Sequence, residues 1–422
     1  DGNHVLVTAH TGSGKTLPAE YAISHFTEKG KRVIYTAPIK ALSNQKFHEF
    51  QRQFPNISFG ILTGDIKFNP EADVLIMTTE ILKNTLYLRK LKTTQPLDFE
   101  MDVDTDLGCV VFDEVHYIND PDRGKAWEET IIMLPHHVQM VMLSATIDAP
   151  KRFCQWIETI RNGSDKCVVH TGTHERVVPL VHYTYAITPH KVECKDKPLL
   201  NIMLDKCNVP QMIRGKHADG KNVGFDVSLY NNMKMILDYQ YQNRIEIKGV
   251  NVLNSLVRYL DKNEMLPAIC FVFSRKQAER MAFQIEQSLF PADSKQPQIV
   301  EQECKTILMR LPNYKEYIGL PEYRNVVKLL EKGIAVHHSG VAPVLREMIE
   351  LLFAKGYIKL LFATETFAVG INMPTKTVVF TGFSKFDGNG MRLLRSHEYT
   401  QMAGRAGRRG LDKIGHVIHC LN

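Results

Sequence analysis

Short apolar runs rich in Val and Ile alternate with amphipathic stretches along most of the chain. In the first half the runs fall at residues 5–8, 32–36, 73–77, 109–112 and 140–143, and each predicts a strand. Helical spacing of apolar positions follows several of them, at 16–28, 41–51 and 80–89. Strands that are continuously apolar are buried on both faces, so this order predicts an α/β unit with a parallel sheet covered by helices. The second half repeats the scheme, with strands at 268–273, 334–337, 358–363, 377–380 and 416–420 and helices at 276–287, 345–354 and 396–403. No short-period repeat accompanies it. Between the halves, from 188 to 249, the periodicity fails, and the polar stretch 216–222 is rich in turn residues. That segment reads as a linker with an insertion, partly mobile. The expected division is 1–187, 188–249 and 250–422.

Composition changes this picture little. With 422 residues, 44% hydrophobic and 23% charged, the chain is not disordered, and it suits about two or three domains. It contains no unbroken apolar run of about 18 residues, so no membrane span is expected. The net charge of +6 is compatible with an acidic partner but too small to identify one. The eight cysteines are scattered without a CxxC pair, several inside apolar runs such as those around Cys109 and Cys270. They read as reduced core residues of an intracellular protein. His136-His137 and His337-His338 lack partner cysteines and His170/His174 is an isolated spacing, so no structural zinc is expected. The opening Asp1-Gly2-Asn3-His4 has neither an initiator Met nor a signal pattern and runs at once into a strand, which reads as a fragment of a longer protein.

The chemistry begins at Ala9-His10-Thr11-Gly12-Ser13-Gly14-Lys15-Thr16, between the first strand and the first helix. This is a phosphate loop in its required context, where backbone N–H groups wrap phosphates at a helix N-terminus. Lys15 is placed to reach the β and γ phosphates and Thr16 to bind Mg²⁺. Ala9 stands where the strict pattern has Gly. Asp113-Glu114-Val115-His116 follows another buried strand. Alone, such an acidic pair is a solvated turn; beside a phosphate loop, Asp113 reads as the metal ligand and Glu114 as the group that orients and deprotonates the attacking water. Near the far end, Gln401-Met402-Ala403-Gly404-Arg405-Ala406-Gly407-Arg408 presents two arginines, each preceded by a small residue. Alone they read as a basic patch; with a phosphate loop in the other unit they read as arginine fingers, with ATP in a cleft between the units.

These motifs, with Ser144-Ala145-Thr146, resemble in kind and order those of superfamily-two DExH-box helicases. TAPIKALSNQKF (36–47), TGDIKFNP (63–70), LIMTTEIL (75–82), GIAVHHSG (333–340), FATETFAVGINMPTKTVVF (362–380) and DGNGMRLLRSHEYTQMAGRAGRRG (387–410) resemble the superkiller-type RNA helicases that feed the RNA exosome. The resemblance covers nearly the whole chain except about 188–249. It implies two tandem RecA-like P-loop domains, with ATP and RNA bound at the inter-domain cleft and movement 3′-to-5′. It implies that His116, Ser144 and Thr146 couple nucleotide state to domain movement. It further implies that Gly370 and Asn372 line the nucleotide cleft from the second domain and that Gln401 faces the γ-phosphate with Arg405 and Arg408. Single-stranded RNA is the implied partner, with the exosome or accessory subunits for the full-length protein, in cytoplasm or nucleus.

A motor that steps along any sequence must grip the backbone of its strand, since phosphate contacts carry no base information. The candidates are Pro38 and Lys40, Thr63, Gly64 and Asp65, and Thr78, Thr79 and Glu80 in the first domain. Ser274 and Arg275, His338 and Ser339, and Thr364 and Glu365 are their counterparts in the second. Thr78 and Thr79 equally suit an ordinary helix cap. No stacking aromatics stand out; Phe26, Phe47, Phe50, Tyr87 and Phe353 fall at helical spacing and read as core. Nothing in the residues reads a 2′-hydroxyl, so a DNA helicase of the same superfamily and a nucleotide-gated RNA-binding scaffold stay open as alternatives, with a P-loop kinase behind them. The upstream adenine-holding residues and the downstream winged-helix and helical-bundle domains of the family are not in this sequence. The expectation is RNA-stimulated ATP hydrolysis with poor duplex unwinding.

Overall fold

The unbroken apolar runs become strands with both faces covered. The computed structural model describes residues 2–10, 13–64, 66–90, 101–120, 123–145, 147, 149–161, 167–173, 176–188, 196–216, 222–245, 247–311, 313–365, 373 and 375–421. The chain divides into two units, Asp1–Val177 and Val178–Asn422. The first contains β1 (His4–Ala9), α1 (Leu17–Thr27), β2 (Arg32–Ala37), α2 (Lys40–Gln53), β3 (Phe59–Leu62), β4 (Lys67–Phe68) and β5 (Val74–Thr78). There follow α3 (Thr79–Lys90), β6 (Leu107–Phe112), α4 (Gly124–Met133), β7 (Gln139–Ser144), α5 (Pro150–Ile160) and β8 (Val168–Thr173).

The sheet order is β4-β3-β5-β2-β6-β7-β1-β8, and β4 alone of these runs antiparallel to its neighbour. Because side chains alternate across a strand, successive residues of β6 enter different cores. Val110 and Phe112 pack with Leu6, Ile34 and Trp127, whereas Cys109 and Val111 pack with Val7, Ile23 and Tyr35. Each fully buried side chain of this size contributes about 1.5–3 kcal/mol of transfer free energy. Tyr87 departs from expectation. It is 56% exposed on α3, one position off the buried stripe formed by Leu82 and Leu86.

The second unit contains β9 (Leu180–Tyr185), α6 (Lys197–Lys206), β10 (Gln211–Lys216), β11 (Asn222–Val223), α7 (Val227–Gln242), α8 (Gly249–Lys262), β12 (Ala268–Phe271) and α9 (Arg275–Phe283). It continues with α10 (Gln296–Leu308), α11 (Tyr314–Gly319), α12 (Pro321–Leu330), β13 (Ile334–His337), α13 (Pro343–Ala354), β14 (Leu360–Ala363) and β15 (Thr377–Phe380). It ends with β16 (Ser384–Phe386), β17 (Met391–Leu393), α14 (Ser396–Ala403) and β18 (Gly415–Cys420). The main sheet runs β11-β10-β9-β18-β15-β12-β14-β13, with β16 and β17 forming a separate hairpin.

Two features of this unit differ from the sequence-based division. The strand β9, which falls within residues 1–187, pairs in parallel with β18, from Leu180 opposite Gly415 to Tyr185 opposite Cys420. A partner so distant along the chain leaves no local trace. The segment 188–249, read as linker and insertion, forms α6, β10, β11 and α7 among its described residues. Leu199, Met203, Ile213, Leu229, Met233 and Ile236 bury a small core there. Each element presents only a narrow apolar stripe, so no period persists long enough to read.

The registers place the strand ends side by side. Thr8 lies opposite Ser144, Thr36 opposite Phe112, and Ala37 opposite Thr78; in the second unit Phe271 and His337 both lie opposite Ala363. The segments that follow these parallel strands therefore gather along the carboxyl edge of each sheet, where open α/β sheets bind ligands.

Candidate nucleotide site and nucleic-acid track

The loop after β1 turns tightly. The Ser13 backbone N–H and hydroxyl both donate to the His10 carbonyl, at 3.2 and 2.6 Å. Gly14 has φ +86°, a left-handed conformation that glycine adopts without strain, and its carbonyl accepts the Leu17 N–H at 3.0 Å. Helix α1 then starts, with Pro18 in its first turn and Thr16 as N-cap; the Thr16 hydroxyl makes no capping bond. Ala9 is buried at the end of β1. Thr11 and Gly12 lie outside the described residues.

Lys15 and the acidic pair meet across the sheet edge. Lys15 Nζ lies 2.6 Å from Glu114 Oε1, both side chains being largely shielded from solvent. Glu114 has φ 52° and ψ 45°, a left-handed backbone that costs a non-glycine residue about 1–3 kcal/mol. Asp113 is buried, accepts a 2.6 Å hydrogen bond from the Tyr35 hydroxyl and a 2.9 Å bond from the Glu114 N–H. Burial pushes the Asp113 carboxyl above its usual range, and the neighbouring Glu114 adds to this; Lys15 and the Tyr35 bond pull it back. The Tyr35 phenol is pushed well up, by burial and then by Asp113. Buried His116 continues the chain: its Nδ1 lies 3.4 Å from both Glu114 Oε2 and Ser144 Oγ. Lys15, Glu114, His116 and Ser144 thus form one contiguous polar array. Thr146 lies outside the described residues.

Tyr35 is the residue that sequence reasoning missed. A tyrosine inside a buried strand reads as core, and only the adjacency of β2 and β6 brings its hydroxyl to Asp113.

The second unit positions its motif differently from a pair of free arginines. Gln401 sits half-buried in α14, and Arg405 is only 6% exposed, its carbonyl accepting the Thr375 N–H at 2.9 Å. Arg408 makes a bidentate pair with Asp412, at 2.8 and 2.9 Å, which raises its pKa. Asp412 is a second partner that spacing alone did not reveal. Between the arginines, Gly407 has φ +85°, and a Cβ there would lie 2.5 Å from Val178 Cγ1. Gly370 and Asn372 lie outside the described residues.

The proposed strand contacts line the carboxyl edges, with unequal access. The Pro38 carbonyl accepts from Arg123 Nη1 at 2.9 Å, and Lys40 opens α2 with its Nζ beside Gly64. Thr63, Thr78 and Thr79 are buried, Thr79 completely; Asp65 lies outside the described residues. In the second unit Ser274 caps α9 by accepting the Gln277 N–H, and Arg275 is exposed beside it. His338 is buried, its Nε2 3.0 Å from Glu279 and its Nδ1 accepting the Gly340 N–H, while Ser339 is exposed. Burial lowers the His338 pKa against the pull of Glu279. Thr364 is buried at the end of β14, and Glu365 pairs with Lys385 at 3.5 Å.

Comparison with known proteins follows the same order of motifs. The DEAD/DEAH box helicase family matches residues 1–153, and the helicase conserved C-terminal domain matches residues 298–410. Antiviral helicase SKI2 of Saccharomyces cerevisiae is 40% identical over 99% of this chain and 34% of its own length. Superkiller complex protein 2 of Homo sapiens is 40% identical over 98% of the chain and 31% of its own length. Exosome RNA helicase MTR4 of Homo sapiens is 39% identical over 98% and 36%. The chain thus spans about a third of the length of the curated relatives it matches. Two RecA-like α/β units carrying the helicase motifs in order, with this identity along almost the whole sequence, place the chain in the superkiller-type DExH-box RNA helicase family of helicase superfamily two.

Proposed function

We propose that this chain is the motor of an ATP-dependent RNA helicase, an RNA-stimulated ATPase moving 3′-to-5′ and unwinding RNA for exosome-mediated processing or decay. The observation that carries the reading is the 2.6 Å contact of Lys15 with Glu114 beside buried Asp113, at the mouth of a phosphate loop. Lys15 has one strong anionic partner here, and the terminal phosphates of ATP are a stronger one. When they draw Lys15 away, the Glu114 carboxylate is left facing the site, still within 3.4 Å of His116. It can then orient a water and accept its proton. The His116–Ser144 contact gives that exchange a route into the β7 edge.

The donor set fits magnesium. Asp113 supplies one carboxylate and Thr16 an uncapped hydroxyl, and Mg²⁺ takes one or two protein oxygens together with phosphate oxygens and waters. When bound, it would neutralise charge on the phosphates. Holding Asp113 ionised against its raised pKa is then the task shared by Lys15 and Tyr35. Gln401, Arg405 and Arg408 are assigned to the charge that develops on the transferred phosphoryl group, with Gly370, Asn372 and the loop 9–16 as nucleotide-binding residues. Arg408 must exchange Asp412 for phosphate to serve in this way.

Single-stranded RNA is the proposed substrate, held by backbone contacts along the two carboxyl edges. The similarity to exosome RNA helicase MTR4 supports exosome-linked work, and no helix among the described residues is long and apolar enough to cross a membrane. The test is ATP turnover with and without single-stranded RNA, in wild type, Glu114→Gln and Arg408→Ala. Loss of about 10²-fold or more is expected in each variant. Undiminished turnover in both would overturn the mechanism, and stronger stimulation by DNA than RNA at fixed salt would overturn the substrate.

A further inference from the structure

Helix α14 carries Gln401 and runs into Arg405, so whatever holds α14 sets the position of both. Its third residue, Glu398, is gripped by four donors. The Arg395 N–H donates to Oε2 at 2.8 Å, Arg392 donates through both Nη atoms at 2.8 Å, and Lys385 Nζ lies 2.7 Å from Oε1. Burial pushes this carboxyl up, but the bonds from Arg392 and Lys385 overcome it and hold the group well below the usual carboxylate range.

Three of those donors, on two residues, come from the β16–β17 hairpin. Lys385 and Arg392 are directly opposite one another, so both project from one face, toward α14. Their neighbours Phe386, Met391 and Leu393 are exposed on the other face. Lys385 has a second anionic neighbour, Glu365 Oε1 at 3.5 Å, in the segment after β14 assigned to the strand. Lys385 and Glu398 are 14% and 16% exposed, whereas Glu365 is 37% exposed. One ammonium therefore stands between a solvent-open acid at the strand-binding edge and a shielded acid that fixes the helix bearing Gln401.

We propose that Lys385 is a positioning residue that reports occupancy of Thr364 and Glu365 by a phosphodiester to α14, and so tunes hydrolysis to the bound strand. The inference rests on the reading of this chain as an RNA-stimulated ATPase. A phosphate arriving at the open end competes for the Lys385 ammonium. That weakens one of the four bonds on Glu398 while Arg392 keeps the helix in place, so α14 is adjusted rather than released. Removing the Lys385 charge leaves the bidentate Arg392 pair intact and cuts the link.

The experiment measures ATP turnover of wild type, Lys385→Met and Lys385→Arg through a titration with a uridine oligoribonucleotide. Circular dichroism checks folding, and fluorescence anisotropy checks RNA binding. Lys385→Met breaks that bond without RNA, so it is expected to raise basal turnover toward the RNA-stimulated rate and to lose about 5-fold or more of the stimulation at saturating RNA, at the low end of typical site-to-site coupling. Lys385→Arg restores it. Wild-type stimulation in Lys385→Met would overturn the relay, as would a fall in basal turnover by the same factor as the stimulated rate, which marks simple support of the site. A wild-type enzyme that RNA does not stimulate at all overturns the ATPase reading itself, and the relay with it.

Discussion

Tyr35→Phe removes one oxygen atom from the interior of the first unit, 2.6 Å from the Asp113 carboxylate, and leaves the ring and its edge contact with Phe50 in place. A hydrogen bond to an ionised acceptor contributes about 1.5–3 kcal/mol, whereas the same bond to a protonated carboxyl contributes about 0.5–1.5 kcal/mol. The difference, about 1.4 kcal/mol, corresponds to about one pKa unit on Asp113. Burial already raises that pKa, so ionising Asp113 works against the fold; the penalty is absent below the unfolded-state pKa and grows as pH rises through the folded-state value. The variant should lose about 2 kcal/mol of stability at pH values above the folded-state pKa, and the loss should shrink below about 1 kcal/mol once Asp113 is protonated. Both tryptophans of the chain, Trp127 and Trp156, pack in the core of the first unit, so urea denaturation followed by tryptophan fluorescence reports that unit alone. The acid limb of kcat/KM for ATP should move up by about one unit in parallel. Equal stability of the two proteins above that pKa, or a loss that stays constant as Asp113 protonates, would refute the assignment of Tyr35 to the ionised carboxylate.

Two further outcomes follow from the second unit. Gly407→Ala forces a Cβ to within 2.5 Å of Val178 Cγ1 and 3.1 Å of Gly415 Cα at φ +85°, so it should destabilise by about 2 kcal/mol or more and depress turnover; unchanged thermal unfolding would contradict the packing. The Tyr399 hydroxyl lies 2.8 Å from His182 Nδ1 and 2.9 Å from His419 Nε2, and burial, then His182, lowers the His419 pKa from 6.5 to about 4. With the folded value depressed, the stability is complete above about pH 6.5 and is lost as pH falls toward 4, by at most about 3.4 kcal/mol. Hydrogen exchange of the β18 amides, corrected for intrinsic rate, should show this decline, and His419→Asn should flatten it.

The loop 9–16, the Asp113-Glu114 pair and the arginine segment stand out as candidates in the sequence because each is contiguous. A turn, a helix start and the donors it presents are dictated by residues within a few positions of one another. The same holds for the core strands: residues 334–337, 377–380 and helix 396–403 coincide with β13, β15 and α14. The elements of 188–249 were not legible, because their apolar stripes are narrow and their small core forms only when α6, β10 and α7 pack together.

What the sequence determined by itself was the chemistry available and the local structure presenting it, since hydrophobic period and loop motifs act over one or two turns of chain. Tertiary structure alone decided the partners. It put the Tyr35 hydroxyl on Asp113, His116 beside Ser144, and Lys385 between Glu365 and Glu398. Most of these contacts join strands or helices far apart in sequence, and strand order and register have no signature in the composition of either strand. The affinity of an ionisable group for its proton depends on who its neighbours are and how deeply they are buried. That is why the roles of Tyr35 and Lys385 emerged only from the fold.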